Sequence, residues 1–97
     1  MTSVKLSVKE NKIEQELRQR VEAAGGECVK VTVLGRRGFF DRLVTLPGGR
    51  AVFVEVKRPR RSRTTKHQML WHERFAELGV AVAIVKNSAD IDALLRT

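Results

Sequence analysis

The stretch that most constrains this chain is Ala51-Val52-Phe53-Val54-Glu55-Val56-Lys57, an apolar run that closes on a carboxylate and an ammonium. Its β-branched residues favour a strand. Side chains alternate across a strand, so Val52, Val54 and Val56 share one face while Phe53, Glu55 and Lys57 share the other. A carboxylate and a lysine two residues apart on one face can bind a divalent cation with the first and hold a water or a phosphate oxygen with the second. In an isolated E-x-K the commoner explanation is an ion pair at a strand end. The surrounding sequence has to choose between the two.

Ninety-seven residues make one small domain, 1–97, with room for one sheet and a few helices around a single core. A hydrophobic fraction of 42% is enough for a folded globule, and a formal net charge of +8 points to a polyanionic partner. Nucleic acid is the first candidate. No stretch approaches the roughly 20 apolar residues that span a bilayer and no signal-peptide pattern opens the chain, so the expectation is a soluble intracellular protein without a membrane partner. Cys28 has no internal disulfide partner, and with His67 and His72 it makes no zinc spacing. It reads as a reduced, buried thiol.

Ser7-Val8-Lys9-Glu10 has the form of a capping box, followed by helix-period apolar residues at Ile13, Leu17, Val21 and Ala24 and by Gly25-Gly26. On the helical wheel Glu10 falls between Leu17 and Val21, inside the apolar face, with Glu14 at its edge. Glu10 therefore either serves the cap or faces a metal site. Cys28 to Leu34 alternates, with Val29, Val31 and Val33 on the face expected inside. A second strand is expected from about Phe39 to Leu46, and Pro47-Gly48-Gly49-Arg50 turns the chain back into the Glu55 strand. Asp41 and Glu55 are equally far from the centre of that turn, which predicts Cβ atoms about 5 Å apart across the hairpin. Two carboxylates so placed are tolerated with a cation between them, or as a solvated pair at an open hairpin end.

Between Arg58 and Lys66 the chain carries Arg58, Arg60, Arg61, Arg63 and Lys66, a charge density suited to phosphate or to solvent. Thr64 or Thr65 can cap a helix from about Lys66 to Leu78, stopped by Gly79. Trp71 and Phe75 mark its inner face, with Gln68 and His72 on or beside it, and an amide among aromatic rings needs a partner. Val80 to Val85 reads as a strand covered on both sides, and Asn87 or Ser88 caps a last short helix. The order is helix, three strands, helix, strand, helix: an α/β chain with an antiparallel meander, a crossover to a fourth strand, and helices on a mixed sheet.

From Glu10 to about Leu95 these residues resemble the PD-(D/E)XK nuclease superfamily and, within it, the small stand-alone VRR-NUC domains of phages and bacteria. The likeness rests on E-x-x-I-E running into Gly25-Gly26, on Lys30, on Gly38-Phe39-Phe40-Asp41-Arg42-Leu43-Val44, on Pro47 to Arg50, on Phe53 to Lys57, and on Gln68 and Gly79. The D-x13-E-x-K spacing followed by a glutamine helix is specific as a set. One position departs: such domains usually carry proline before the aspartate, where this chain has Phe40. The resemblance implies a restriction-endonuclease-like αβββαβ core. It implies a Mg²⁺ or Mn²⁺ ion held by Asp41, Glu55 and the Val56 carbonyl, with Lys57 orienting or deprotonating the attacking water. It further implies that Glu10 is the helix glutamate and that Gln68 steadies the site. DNA contacts would come from Lys30, Arg36, Arg37, Arg58, Arg60, Arg61, Arg63 and Lys66. The implied activity is DNA endonuclease cleavage, on branched structures such as Holliday junctions, by a homodimer in the cytoplasm of a bacterial or phage-infected cell. Two other readings remain open from the residues alone: a nonenzymatic DNA-binding module on the same fold, and an RNA-binding domain.

Overall fold

A computed structural model of the chain describes residues 11–35, 38–57 and 65–96. The first helix, α1 (Lys12–Ala23), buries Leu17 and Val21. It begins later than the Ser7 to Glu10 box predicts. Its cap is Asn11, whose Oδ1 accepts from Glu14 N at 2.8 Å while Glu14 Oε1 accepts from Asn11 N at 2.9 Å. Asn11-x-x-Glu14 is a second capping box directly after the first, and Ser7 and Glu10 lie outside the described residues. After α1 the chain turns tightly past Gly26, where an added Cβ would lie 2.1 Å from the Thr45 carbonyl oxygen, so no larger residue fits without backbone movement.

Four strands follow: β1 (Glu27–Lys30), β2 (Arg42–Leu46), β3 (Arg50–Val56) and, after α2 (Lys66–Glu77), β4 (Val82–Val85). The sheet runs β1-β2-β3-β4, antiparallel through the first three and parallel between β3 and β4, and α3 (Ser88–Arg96) closes the fold. This is the mixed sheet with flanking helices that the element order predicts. Leu17 and Val21 of α1, Val44 and Leu46, Val52, Val54 and Val56, Val85, and Ile91 and Leu94 of α3 form one core on one face of the sheet. The opposite face carries rings. Phe39, Phe40 and Phe53 meet Trp71 and Phe75 of α2, with centroids 4.9 to 5.6 Å apart and mostly edge-to-face.

Three expectations are corrected by pairing. β1 is shorter than Cys28 to Leu34, and its faces are reversed. Cys28 pairs with the fully buried Val44 and so packs toward the core, only partly buried, while Val29 is 44% exposed. β2 starts at Arg42 rather than Phe39. Phe39 and Phe40 turn into the ring cluster, and the Val56 N–H bonds to the Asp41 side chain at 2.9 Å instead of extending the ladder. β4 lies at a sheet edge and is not covered on both faces, since Val85 is buried but Ile84 is 37% exposed. Asn87 caps α3, accepting from Asp90 N at 3.0 Å. No helix among the described residues is long and apolar enough to cross a membrane.

Candidate active site

The charged end of β3 is buried. Glu55 and Lys57 are each 4% exposed, with Lys57 Nζ 3.7 Å from Glu55 Oε2, so they are no solvated pair at a frayed strand. Asp41 lies one step beyond the last ladder pair, Arg42 with Val54, and that register sets it opposite Glu55 on the same face. Its N–H donates to the Val54 carbonyl at 3.0 Å and its Oδ2 accepts from Val56 N at 2.9 Å. Both main-chain groups of a residue point to the same side of a strand, so the Val56 carbonyl is directed toward this edge as well.

Gln68 crosses from α2 to join these groups. Its Nε2 donates to Glu55 Oε2, and its Oε1 accepts from Lys57 Nζ at 2.6 Å. An amide can donate to a carboxylate from its nitrogen and accept from an ammonium at its oxygen at once. The same amide completes the cap of α2: Gln68 Oε1 also accepts from Thr65 N, and Thr65 Oγ1 accepts from Gln68 N, both at 3.1 Å. The helix N-terminus is seated by Gly38, which has φ of +70°. A Cβ added there would come within 2.5 Å of the His67 Cβ and 2.9 Å of Gln68 N.

One atom in this network is left over. Glu55 Oε1 is buried and has no hydrogen-bond partner. Burial, and then the neighbouring Asp41 charge, push the Glu55 carboxyl up to about 7, against a smaller opposing pull from Lys57. A hard cation placed between Asp41 and Glu55 would offset both by favouring the charged carboxylates. The available donors, two carboxylates and a main-chain carbonyl, are all hard oxygens, as Mg²⁺ or Mn²⁺ requires. No group of three or more His, Cys, Asp or Glu side chains that could hold a metal is assembled among the described residues. Magnesium ordinarily takes only one or two carboxylates and completes its shell with water and phosphate, so this donor set fits it.

No family profile matches the chain. It is 41% identical over 88 residues to "Putative nuclease p44" of Acyrthosiphon pisum secondary endosymbiont phage 1, a match covering 91% of this chain and 92% of that protein. A solved structure described as a VRR_NUC domain superposes with a TM-score of 0.80 at 36% identity, covering 88% of this chain and 91% of the other. The chain belongs to the VRR-NUC family of nucleases.

Within this VRR-NUC fold the sequence candidates divide into three groups. Asp41, Glu55, Val56, Lys57 and Gln68 are brought together. Lys30, at the end of β1, and Lys66, the first residue of α2, are exposed. Glu10, Arg36, Arg37, Arg58, Arg60, Arg61 and Arg63 lie outside the described residues. The replacement of proline by Phe40 has a physical reading, since the Phe40 ring is 2% exposed and packs on Phe75 at 5.3 Å and His72 at 4.6 Å. Packing thereby restrains the chain entering Asp41 where a proline ring would have done so.

Two residues bear on the VRR-NUC site without having been singled out for it. Arg42 is buried on the core face directly beside Asp41. It donates to the Asp41 carbonyl at 3.3 Å and to Glu14 Oε2 at 3.0 Å. Parity along β2 could have found it, because Arg42 alternates in step with Val44 and Leu46. His72 follows Gln68 by one helical turn, with Nε2 buried and unpartnered. Burial, then the Lys57 charge, lower its pKa and favour the neutral ring.

Proposed function

We propose that this VRR-NUC chain is a Mg²⁺- or Mn²⁺-dependent DNA endonuclease. The observation that carries the reading is Glu55 Oε1, a buried carboxylate oxygen without a partner beside a second carboxylate. Asp41, Glu55 and the Val56 carbonyl would hold the ion, which when bound polarises a phosphate and lowers the pKa of coordinated water. Lys57, oriented by Gln68 Oε1, would hold the attacking water in place as a hydrogen-bond donor, and the proton that water loses would pass to solvent. Attack on phosphorus breaks the bond to the 3′ oxygen, leaving a 5′-phosphate and a 3′-hydroxyl. Glu10 is the further acidic residue proposed for the site.

Lys30, Arg36, Arg37, Lys66 and the arginines at 58, 60, 61 and 63 would grip DNA phosphates. Neutralising Arg60, Arg61 and Arg63 together should flatten the salt dependence of binding by roughly the number of contacts removed. The substrate proposed is branched DNA such as a four-way junction. A two-fold dimer suits that symmetry, because two cuts need two sites.

The decisive experiment incubates the protein with supercoiled, linear and four-way DNA in Mg²⁺, Mn²⁺ or EDTA. Cleavage should require the metal, favour the junction, and fall by more than about a hundredfold in Asp41→Ala and Glu55→Ala. Both variants should also lose most of the heat of Mn²⁺ binding. Unchanged Mn²⁺ binding in both would refute the assignment.

A further inference from the structure

We propose that Thr65 is a positioning residue for the carboxylate site. Acting through the Gln68 amide, it makes the N-cap of α2 and the Glu55–Lys57 pair one structural unit. In a capping box the residue three positions into the helix returns a hydrogen bond to the cap. Here that residue is Gln68, and its amide has two further tasks on β3.

Gln68 Oε1 receives two donors, Thr65 N at 3.1 Å and Lys57 Nζ at 2.6 Å, while Nε2 is directed to Glu55 Oε2. The rotamer that places the amide is held from its own backbone, where Gln68 N donates to Thr65 Oγ1. A glutamine side chain has three rotatable bonds before its amide and loses considerable freedom when fixed. Its partners Glu55 and Lys57 are buried while Thr65 is exposed, so the Thr65 end is the one that can release it. Thr65 is exposed and touches neither carboxylate, which makes it a residue acting through another. Without the hydroxyl, Gln68 N would turn to solvent and the first helical turn would fray. The amide would then lose the frame that aligns it with Lys57 and Glu55.

Two readouts test this on the whole chain, and the first needs neither metal nor DNA. The side-chain amide protons of Gln68 should be shifted and slow to exchange in the NMR spectrum, with the exposed Gln15 and Gln19 of α1 as internal references. In Thr65→Ala the Gln68 signals should move to the position of the two references. In Thr65→Ser, which keeps the hydroxyl, they should stay. Asn87→Ala removes the cap of α3 at a comparable stability cost, and there too they should stay. A Gln68 signal that remains shifted and protected in folded Thr65→Ala overturns the proposal.

The second readout rests on the nuclease reading. Thr65→Ala should lower kcat about ten- to a hundredfold with little change in KM, as expected for a misaligned site. Thr65→Ser and Asn87→Ala should cleave at the rate of the unaltered chain. Equal kcat in Thr65→Ala and Asn87→Ala would overturn the positioning role. An unaltered chain that cleaves no DNA while its Gln68 signal still responds to Thr65→Ala would refute the nuclease reading and support the coupling.

Discussion

The N-termini of α1 and α2 use the same device with different chemistry. Each is closed by a capping box, and each sends the third residue of its helix across to the sheet. In α1 that residue is Glu14: one oxygen accepts from the Asn11 backbone and the other from Arg42 of β2. Both carboxylate oxygens are satisfied, and the ion pair is a finished contact between helix and sheet. In α2 the equivalent residue is the neutral Gln68, and the carboxylate it reaches, Glu55, keeps one buried oxygen unsatisfied. Burying a charge without full partnering is unfavourable. The contrast teaches where the fold is complete by itself and where it is built to receive something.

The largest expected effect breaks the finished end. Arg42→Ala strips the guanidinium from between Glu14 and the Asp41 carbonyl, and losing one partner of a buried pair costs about 3–5 kcal/mol. Urea denaturation should show that loss, and adding Glu14→Gln to it should recover part. A loss below about 1 kcal/mol would mean the pair behaves as a surface contact and the two ends differ less than the geometry says.

Next in size is a contrast between neighbouring glutamates. Glu14→Gln keeps the side chain's length and its capping hydrogen bond but leaves the buried Arg42 guanidinium without its counter-charge, so about 3 kcal/mol of stability should go while cleavage stays near normal. Glu10→Gln should do the reverse, slowing cleavage on the order of a hundredfold with little change in melting temperature. If Glu14→Gln proves the inactive variant, the charged end of α1 belongs to the chemistry too, and the two helix starts do not differ in kind.

The pairing of these two helix starts also marks what the sequence could disclose. The Glu55 strand, its hairpin with Asp41 and the cap of α2 are legible because each rests on local signals: alternation, a glycine turn, a threonine three residues before a glutamine. The start of α1 is not, because Ser7-x-x-Glu10 and Asn11-x-x-Glu14 satisfy the same local pattern in tandem. What favours the second is Arg42, a partner 28 residues away from Glu14 that only the folded sheet presents. The inner face of β1 is hidden from the sequence for a similar reason. Val29, Val31 and Val33 look like the buried set, but pairing of Cys28 with Val44 decides the parity. The unpartnered oxygen of Glu55 has no sequence signal of its own, since it arises from burial and from Gln68 taking only one of two oxygens.

The smallest expected effect sharpens the unfinished end through pH. The Glu55 carboxyl is raised from 4.5 to about 7, first by burial and then by Asp41. A carboxyl that holds its proton more tightly when folded contributes stability that is fully present below 4.5 and is lost as pH rises through about 7. His72, lowered from 6.5 by burial and by Lys57, works in the opposite sense, its contribution being lost as pH falls. Comparing the metal-free chain with Glu55→Gln isolates the carboxyl. Between about pH 5 and pH 8 the unaltered chain should lose stability relative to the variant, and Mg²⁺ should reduce that loss. Parallel profiles would indicate that Glu55 is already fully compensated, as Glu14 is.

One consequence reaches beyond the chemistry of a single site. The segment joining β3 to α2 leaves from Lys57 and arrives at Thr65, and both residues donate to the same oxygen of Gln68. Its two ends are thus anchored independently of what lies between them, and lengthening a connection costs only about 0.6 kcal/mol per doubling. Evolution or an engineer can therefore rewrite the basic residues of the segment, altering charge and length, with little disturbance to the carboxylates next door. On the function proposed above, the grip on DNA and the carboxylate site would then be separately heritable traits of a chain of 97 residues.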